Sequence, residues 1–476
     1  MTRPLSSTET SLERAATRRR GGRASTRGFT LIELLVSMVA GLIVALAVVS
    51  LSKSVANQFY EEVRANAAET SVRLASQRLR ADLSRAGMMT TGNIVRDERA
   101  SRLVGGNGAK GIVTLQQLSG IRVVTGGSLV PPTTLGLSGV PATPALVTAS
   151  GAQAPLLTPD SFAVFGNLTS GDEYFGTLDT AAPARCGGPA IRLNLDDPSL
   201  LRIVRDPSGV LVPTAQAQAA LSQVFSPVAG HGFYARVTDA KGFYHYAATC
   251  AVNPVTWNGT IGYVYLQDPL ATLTSLQTNS ITGGVDGFES ISVSPIQGAY
   301  WFIGRITTGT IGTASGLSEN AANPALSTQK FDLYRAWISS DGNGTVLVNN
   351  AEIVAEYAVD LKLGFTVDDP AALEASPDKS RVFGFADVAA DKNPWANRDL
   401  TVGVAAVAGR GSMGPHRIRS VRYRLSTRTA MPDRDQALPP PAGSDFLYRY
   451  RIGPLFARAR VTQGEVALLN QARMSY

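Results

Sequence analysis

The chain has 476 residues, 44% of them hydrophobic and only 17% charged, enough for a buried core in two domains or one elaborated one. Its 46 glycines and 26 prolines mark many turns and exclude a helical bundle in favour of short strands. The net charge of +7 is mostly local: seven arginines against Glu9 and Glu13 give residues 1–28 a net of +5, so the remaining +2 lends nucleic-acid binding no support.

Residues 29–51 read FTLIELLVSMVAGLIVALAVVSL, an apolar run whose single charge is Glu33. About 20 such residues span a bilayer as a helix, so this run is long enough with some tilt. The arginines before it predict a cytoplasmic N-terminal flank, and everything after it, beginning with Glu61 and Glu62, is exported. A secretory signal peptide has a shorter apolar core, although Ala45-Leu46-Ala47 imitates its cleavage box. A plain signal anchor fits the length but gains nothing from Glu33. A carboxylate in hydrocarbon is costly, and such residues carry function by default.

The residues around that acid are Arg27-Gly28-Phe29-Thr30-Leu31-Ile32-Glu33. They resemble the processing motif of type IV prepilins: Gly, an apolar residue, then Thr-Leu-Ile-Glu. The resemblance implies a cleaved leader, residues 1–28, removed by a membrane-embedded prepilin peptidase between Gly28 and Phe29. It also implies N-methylation of Phe29 by the same enzyme. Each position has a physical reason. Gly28 lets an extended segment enter a narrow cleft, and cutting before the apolar run keeps the anchor. The new amine of Phe29 keeps its charge on methylation. Glu33 can then neutralise that amine on a neighbouring subunit, turning two costly charges into one compensated pair that sets the assembly register.

From 52 to 86 there is neither Pro nor Gly, and Val55, Phe59, Val63, Val72, Ala75, Leu79, Leu83 and Ala86 recur at helical steps. One helix is therefore expected from Phe29 to Ala86, stopped by Gly87. Residues 29–51 would be its transmembrane half and 52–87 its periplasmic half. The stretch Arg78-Leu79-Arg80-Ala81-Asp82-Leu83-Ser84-Arg85-Ala86-Gly87-Met88 resembles the LxxDLRxAGY helix end of PilW-type minor pilins, with Met88 in place of the aromatic. Pseudopilin J of type II secretion has a similar helix end, so this stretch leaves both open.

After Met88 the chain reads mostly β. Residues 104–160 suggest short strands and long loops. Residues 232–248, GFYARVTDAKGFYHYAA, predict a hairpin over Asp239-Ala240-Lys241-Gly242, its aromatics either packing across the strands or forming an exposed face. Cys186 and Cys250 are the two cysteines, and export predicts that they pair, closing a loop worth roughly 4 kcal/mol. Strands are expected at 331–339, 353–367, 418–427, 446–452 and 456–461, with a turn at Asp341-Gly342-Asn343-Gly344. The 353–367 segment resembles a strand pair late in PilW-family heads, and residues 465–470 that family's closing segment. The expected architecture is α+β: a long pilin helix packed on an antiparallel β-sheet head, residues 330–476, carrying a large β-rich insertion, residues 88–329.

No catalytic constellation stands out. Two GxGxxG matches, at 106–111 and 409–414, lack the strand–helix context of a nucleotide site. His231, His245 and His416 are widely spaced, with no HExxH and no CxxC, so no metal or other cofactor is expected. The reading is a structural subunit and no enzyme. The resemblance implies a minor pilin of a type IV pilus, acting in initiation or at the tip. It would lie in the inner membrane with its head in the periplasm, then in the fibre. Its implied partners are other minor and major pilins, prepilin peptidase and the inner-membrane assembly platform. A type II secretion pseudopilin, and a tip-displayed adhesin or DNA-binding module in 89–329, remain the alternatives.

Overall fold

The computed structural model describes residues 29–94, 97, 99–100, 115, 118–125, 137, 159–182, 185–267, 289–305, 330–341, 344–368, 380–385, 414–431, 449–452 and 455–472. The leader with Gly28, the glycine-rich stretches at 106–111 and 409–413, and Gly342 and Asn343 lie outside them. The chain divides into two compact units, Met1–Tyr60 and Glu61–Tyr476. The expectation of a long apolar helix followed by an antiparallel β-rich head holds.

Helix α1 spans Leu31–Ser84, two residues shorter at each end than its periodicity suggests. Its C-terminus tightens before it stops: the amides of Arg85 and Ala86 donate to the carbonyls of Asp82 and Leu83, three residues back. Gly87 then takes φ +78°, the left-handed conformation that ends helices at little cost to glycine. Within the second unit one face of α1 is buried, at Ala65, Ala68, Val72, Ala75, Leu79, Asp82 and Leu83.

Every strand pairing among the described residues is antiparallel. The larger sheet has twelve strands. They are β1 (Ile121–Val124), β2 (Ser161–Gly166), β3 (Tyr174–Asp179), β4 (Ala190–Leu193), β5 (Tyr234–Thr238) and β6 (Tyr244–Ala248). Next come β7 (Val255–Trp257), β8 (Gly262–Tyr265), β9 (Ile291–Gly304), β10 (Asp332–Ser339), β11 (Thr345–Val346) and β12 (Glu352–Ala355). Its spine is β9, buried along all 14 residues because it has strands on both edges. The first half of β9 pairs with β3 and β5, the second with β2 and β10. Pro295 falls between the β3 and β2 partners, where a missing N–H is tolerated.

The smaller sheet has five strands, ordered β14 (Ser380–Phe383), β13 (Ala358–Asp368), β15 (Ile418–Arg428), β17 (Leu455–Ala467) and β16 (Arg449–Ile452). The expected strand pair at 353–367 is thus two strands in different sheets: β12 pairs with β10, and β13 with β14 and β15. Between them the chain turns at Tyr357, φ +54°, whose amide donates to buried Asp332 Oδ1 at 2.9 Å. Burial pushes the Asp332 carboxyl up to about 6, against the opposing pull of Lys330. One core joins the buried face of α1 to β2, β9, β13 and β15, with Leu79, Leu83, Phe162, Trp301, Leu361 and Phe365 fully buried. Each such side chain contributes about 1.5–3 kcal/mol by leaving water.

Two helices interrupt the β-rich stretch and were not expected. Helix α2 (Pro198–Val204) starts on the Asp197 carboxylate, which accepts the Ser199 amide at 3.0 Å. Helix α3 (Thr214–Phe225) buries Ala217, Leu221 and Phe225, one face at intervals of four. Both cover the inner face of β4, β7 and β8, against Ile191, Trp257 and Val264.

Candidate functional site

In the first unit the start of α1 is a reciprocal cap. Thr30 donates its amide (3.1 Å) and its hydroxyl (3.0 Å) to Glu33 Oε2, while the Glu33 amide donates to Thr30 Oγ1 at 3.3 Å. Thr-x-x-Glu is the capping box, and it satisfies amides that a helix start otherwise leaves bare. An acid in the first turn also faces the positive end of the helix dipole. Glu33 Oε1 accepts no hydrogen bond among the described residues. Phe29 is 78% exposed, and large apolar side chains from Leu31 to Leu51 are exposed beside it. The helix is long and apolar enough to cross a membrane.

In the second unit α1 is seated by polar groups as well as by its apolar face. Asp82, in the helix-end stretch, is buried. Its Oδ2 accepts from Trp301 Nε1 at 3.0 Å and from Arg335 Nε at 2.6 Å. Arg335 is itself 2% exposed, and its guanidinium lies 3.9 Å from the Trp337 ring centroid. A buried acid is tolerable only with this degree of pairing. Two further bonds fix the seat: Ser76 Oγ with Tyr423 Oη at 2.6 Å, and Thr427 Oγ1 to the Ala68 carbonyl at 3.1 Å. The Tyr423 ring lies against Gly464 on the neighbouring strand, where any side chain would strike it. Glu61 adds an ion pair with Arg458 at 3.0 Å.

The remaining sequence candidates separate. Cys186 and Cys250 form a disulfide with Cα atoms 5.9 Å apart. The aromatic hairpin packs rather than projects: Phe233, Tyr234 and Tyr246 are buried. His231 pairs with Asp341 at 2.8 Å, whereas His245 and His416 are buried. No group of three or more metal-ligating side chains occurs among the described residues. The sequence marked Asp82 within its motif but not Trp301 or Arg335, whose link to it spans more than 200 positions.

No curated protein and no solved structure matches this chain. Residues 23–49, the stretch that carries Phe29, the capping box and most of the apolar run, do match a known family description. The chain bears the prokaryotic N-terminal methylation motif of type IV pilin-like proteins.

Proposed function

We propose that this chain is a minor pilin of a type IV pilus, of the PilW kind, made as a prepilin. Prepilin peptidase cuts between Gly28 and Phe29 and methylates the new amine, and residues 29–51 hold the subunit in the inner membrane until it joins a fibre. What supports the reading is the methylation motif at residues 23–49, a stretch that contains Gly28, Phe29 and Glu33.

The chemistry of the helix start gives this reading its physical content. Glu33 spends one oxygen on its own helix cap and keeps the other free. The freed amine of Phe29 on a neighbouring subunit is a cation able to occupy it, and once both charges have left water, leaving either one unpaired is the costly alternative. The large head beyond Gly87 suits a subunit that starts or tips a fibre better than one repeated along its shaft. The mature protein should give an N-terminal fragment beginning with N-methyl-Phe29 in mass spectrometry. A cut elsewhere, or none, would remove the proposal. Glu33→Ala should insert in the membrane normally and be missing from sheared fibres.

A further inference from the structure

The outer face of β3, β4, β8 and β7 has a composition that the fold does not require. Their inner face is sealed by α2 and α3. On the outer face the strand register places Thr177, Arg192, Tyr263 and Thr256 directly opposite one another, in one row across four strands. At about 4.8 Å between strands the row is roughly 14 Å long. Thr177 and Arg192 are exposed, and Tyr263 and Thr256 are half-buried.

The two tyrosines of this face are held in place. Tyr263 donates its hydroxyl to Asp179 Oδ2 at 3.1 Å, and the Tyr265 hydroxyl meets Thr256 Oγ1 at 3.2 Å. Their rings lie 6.0 Å apart and tilted. The Arg185 guanidinium lies 4.7 Å from the Tyr265 ring centroid, and the next residue, Cys186, is bonded to Cys250 at the end of β6. The disulfide therefore holds one cation on the rim of the face. The side chain of Arg192, by contrast, makes no hydrogen bond or ion pair among the described residues, and it stands in the middle of the row.

The charge of the face selects its ligand. Two guanidinium groups stand against the single carboxylate of Asp179, which already accepts from Tyr263. Tyr265 is buried, so Tyr263 is the tyrosine ring this face presents. A net positive, rigid, hydroxyl-bearing face with that aromatic ring complements a molecule that is anionic, rich in hydroxyls and apolar on one side. Those are the properties of an acidic sugar. A guanidinium matches a carboxylate in a two-point fork, a tyrosine ring covers the C–H face of a pyranose, and threonine hydroxyls meet its ring hydroxyls. A nucleic acid would need a run of cations to neutralise successive phosphates, and this face offers two. We propose that the outer face of β3, β4, β8 and β7 binds acidic saccharides, with Arg192 taking the carboxylate and Tyr263 the sugar ring. This inference does not rest on the pilin reading.

The test uses the full chain in detergent micelles, titrated by calorimetry with trigalacturonic acid and with sialyllactose, and with maltotriose and inorganic tripolyphosphate as controls. At least one acidic sugar should bind, more tightly than either control. Arg192→Ala should weaken it about tenfold or more, the loss expected for a charge-assisted bond. Arg192→Lys should recover part of it, and Tyr263→Ala should weaken it separately. Arg192 is exposed, so its variants leave the core intact. Failure of both acidic sugars to bind at millimolar concentration overturns the proposal. So does equal binding of maltotriose or tripolyphosphate, or binding indifferent to Arg192→Ala.

Discussion

Replacing Asp82 with Ala should be among the most damaging single changes to the head. The carboxylate is 5% exposed as a side chain and Arg335 is 2% exposed, so the variant leaves a guanidinium buried without its acid. Breaking a buried pair from one side costs about 3–5 kcal/mol. Two neighbours soften the loss. Glu352 lies 4.0 Å from Arg335 but is 50% exposed, and Trp337 keeps its stacking contact. Trp301 also loses its acceptor. The expected cost is therefore near the lower bound, about 3 kcal/mol. Guanidinium unfolding followed by tryptophan fluorescence reads it, since Trp301 itself sits at the site. Glu69→Ala is the control: its pair with Arg73 is a solvent-exposed i,i+4 contact, worth under ~0.5 kcal/mol. The double change Asp82→Leu with Arg335→Met removes both charges and should recover most of the loss. The reasoning fails if Asp82→Ala shifts the midpoint no more than Glu69→Ala, or if the double variant is as unstable as the single one.

Three further outcomes follow from the same geometry. Asp332 keeps its proton to about pH 6 in the fold, against 3.8 for the ordinary group, so its contribution is full below about 4 and is lost as pH rises through 6. That makes the head more stable at pH 5 than at pH 7, by about 1 kcal/mol from this group, out of the ~3 kcal/mol it carries over its whole titration. Asp332→Asn should flatten the profile, though not abolish it, because burial raises Asp360 in the same direction; an unchanged slope in thermal unfolding against pH counts against the assignment. Changing Cys186 and Cys250 to Ser should lower stability by roughly 4 kcal/mol if loop entropy dominates, read as the same shift when wild type is unfolded with and without reductant. Gly464→Ala should cost about 1–3 kcal/mol by driving Tyr423 from Ser76, while Thr462→Ala on the same strand should be near neutral.

Much of the helix was legible because its signals are local. An apolar run, a Thr-x-x-Glu start and a Gly stop all lie within a few turns of the residues they govern. The hairpin at β5 and β6 was legible for the same reason, through the Asp239–Gly242 turn. Two classes of feature were not. Strand β9 alternates only at its start, Ile291-Ser292-Val293-Ser294, and Pro295 ends that pattern, because both its faces and both its edges are covered; a strand buried all round loses the period that identifies it. Helices α2 and α3 lie inside a stretch rich in turn residues. Their signals, an Asp-Pro start and the spacing of Ala217, Leu221 and Phe225, are short enough to be overruled by composition. The division of β12 and β13 between two sheets depends on Asp332 reaching the Tyr357 amide, a contact across 25 positions that no local pattern encodes.

Two acids on one helix show how burial and pairing separate structure from assembly. Asp82 is surrounded: its partners Trp301 and Arg335 come from this same chain, and folding alone compensates it. Its motif is therefore explained by the fold, whatever the protein does. Glu33 has no such account. The chain satisfies one of its oxygens through Thr30, and a cap alone could be made by the uncharged Gln, which fills the same place in a capping box. On the proposed reading, a charge that the cap does not need, near the start of an apolar run, is compensated by another subunit. Glu33→Gln isolates that difference, because it keeps the cap and removes the charge. If fibres still incorporate the Gln variant at the wild-type level, the acid was only ever a helix cap. If they do not, the missing partner is a cation supplied by another subunit.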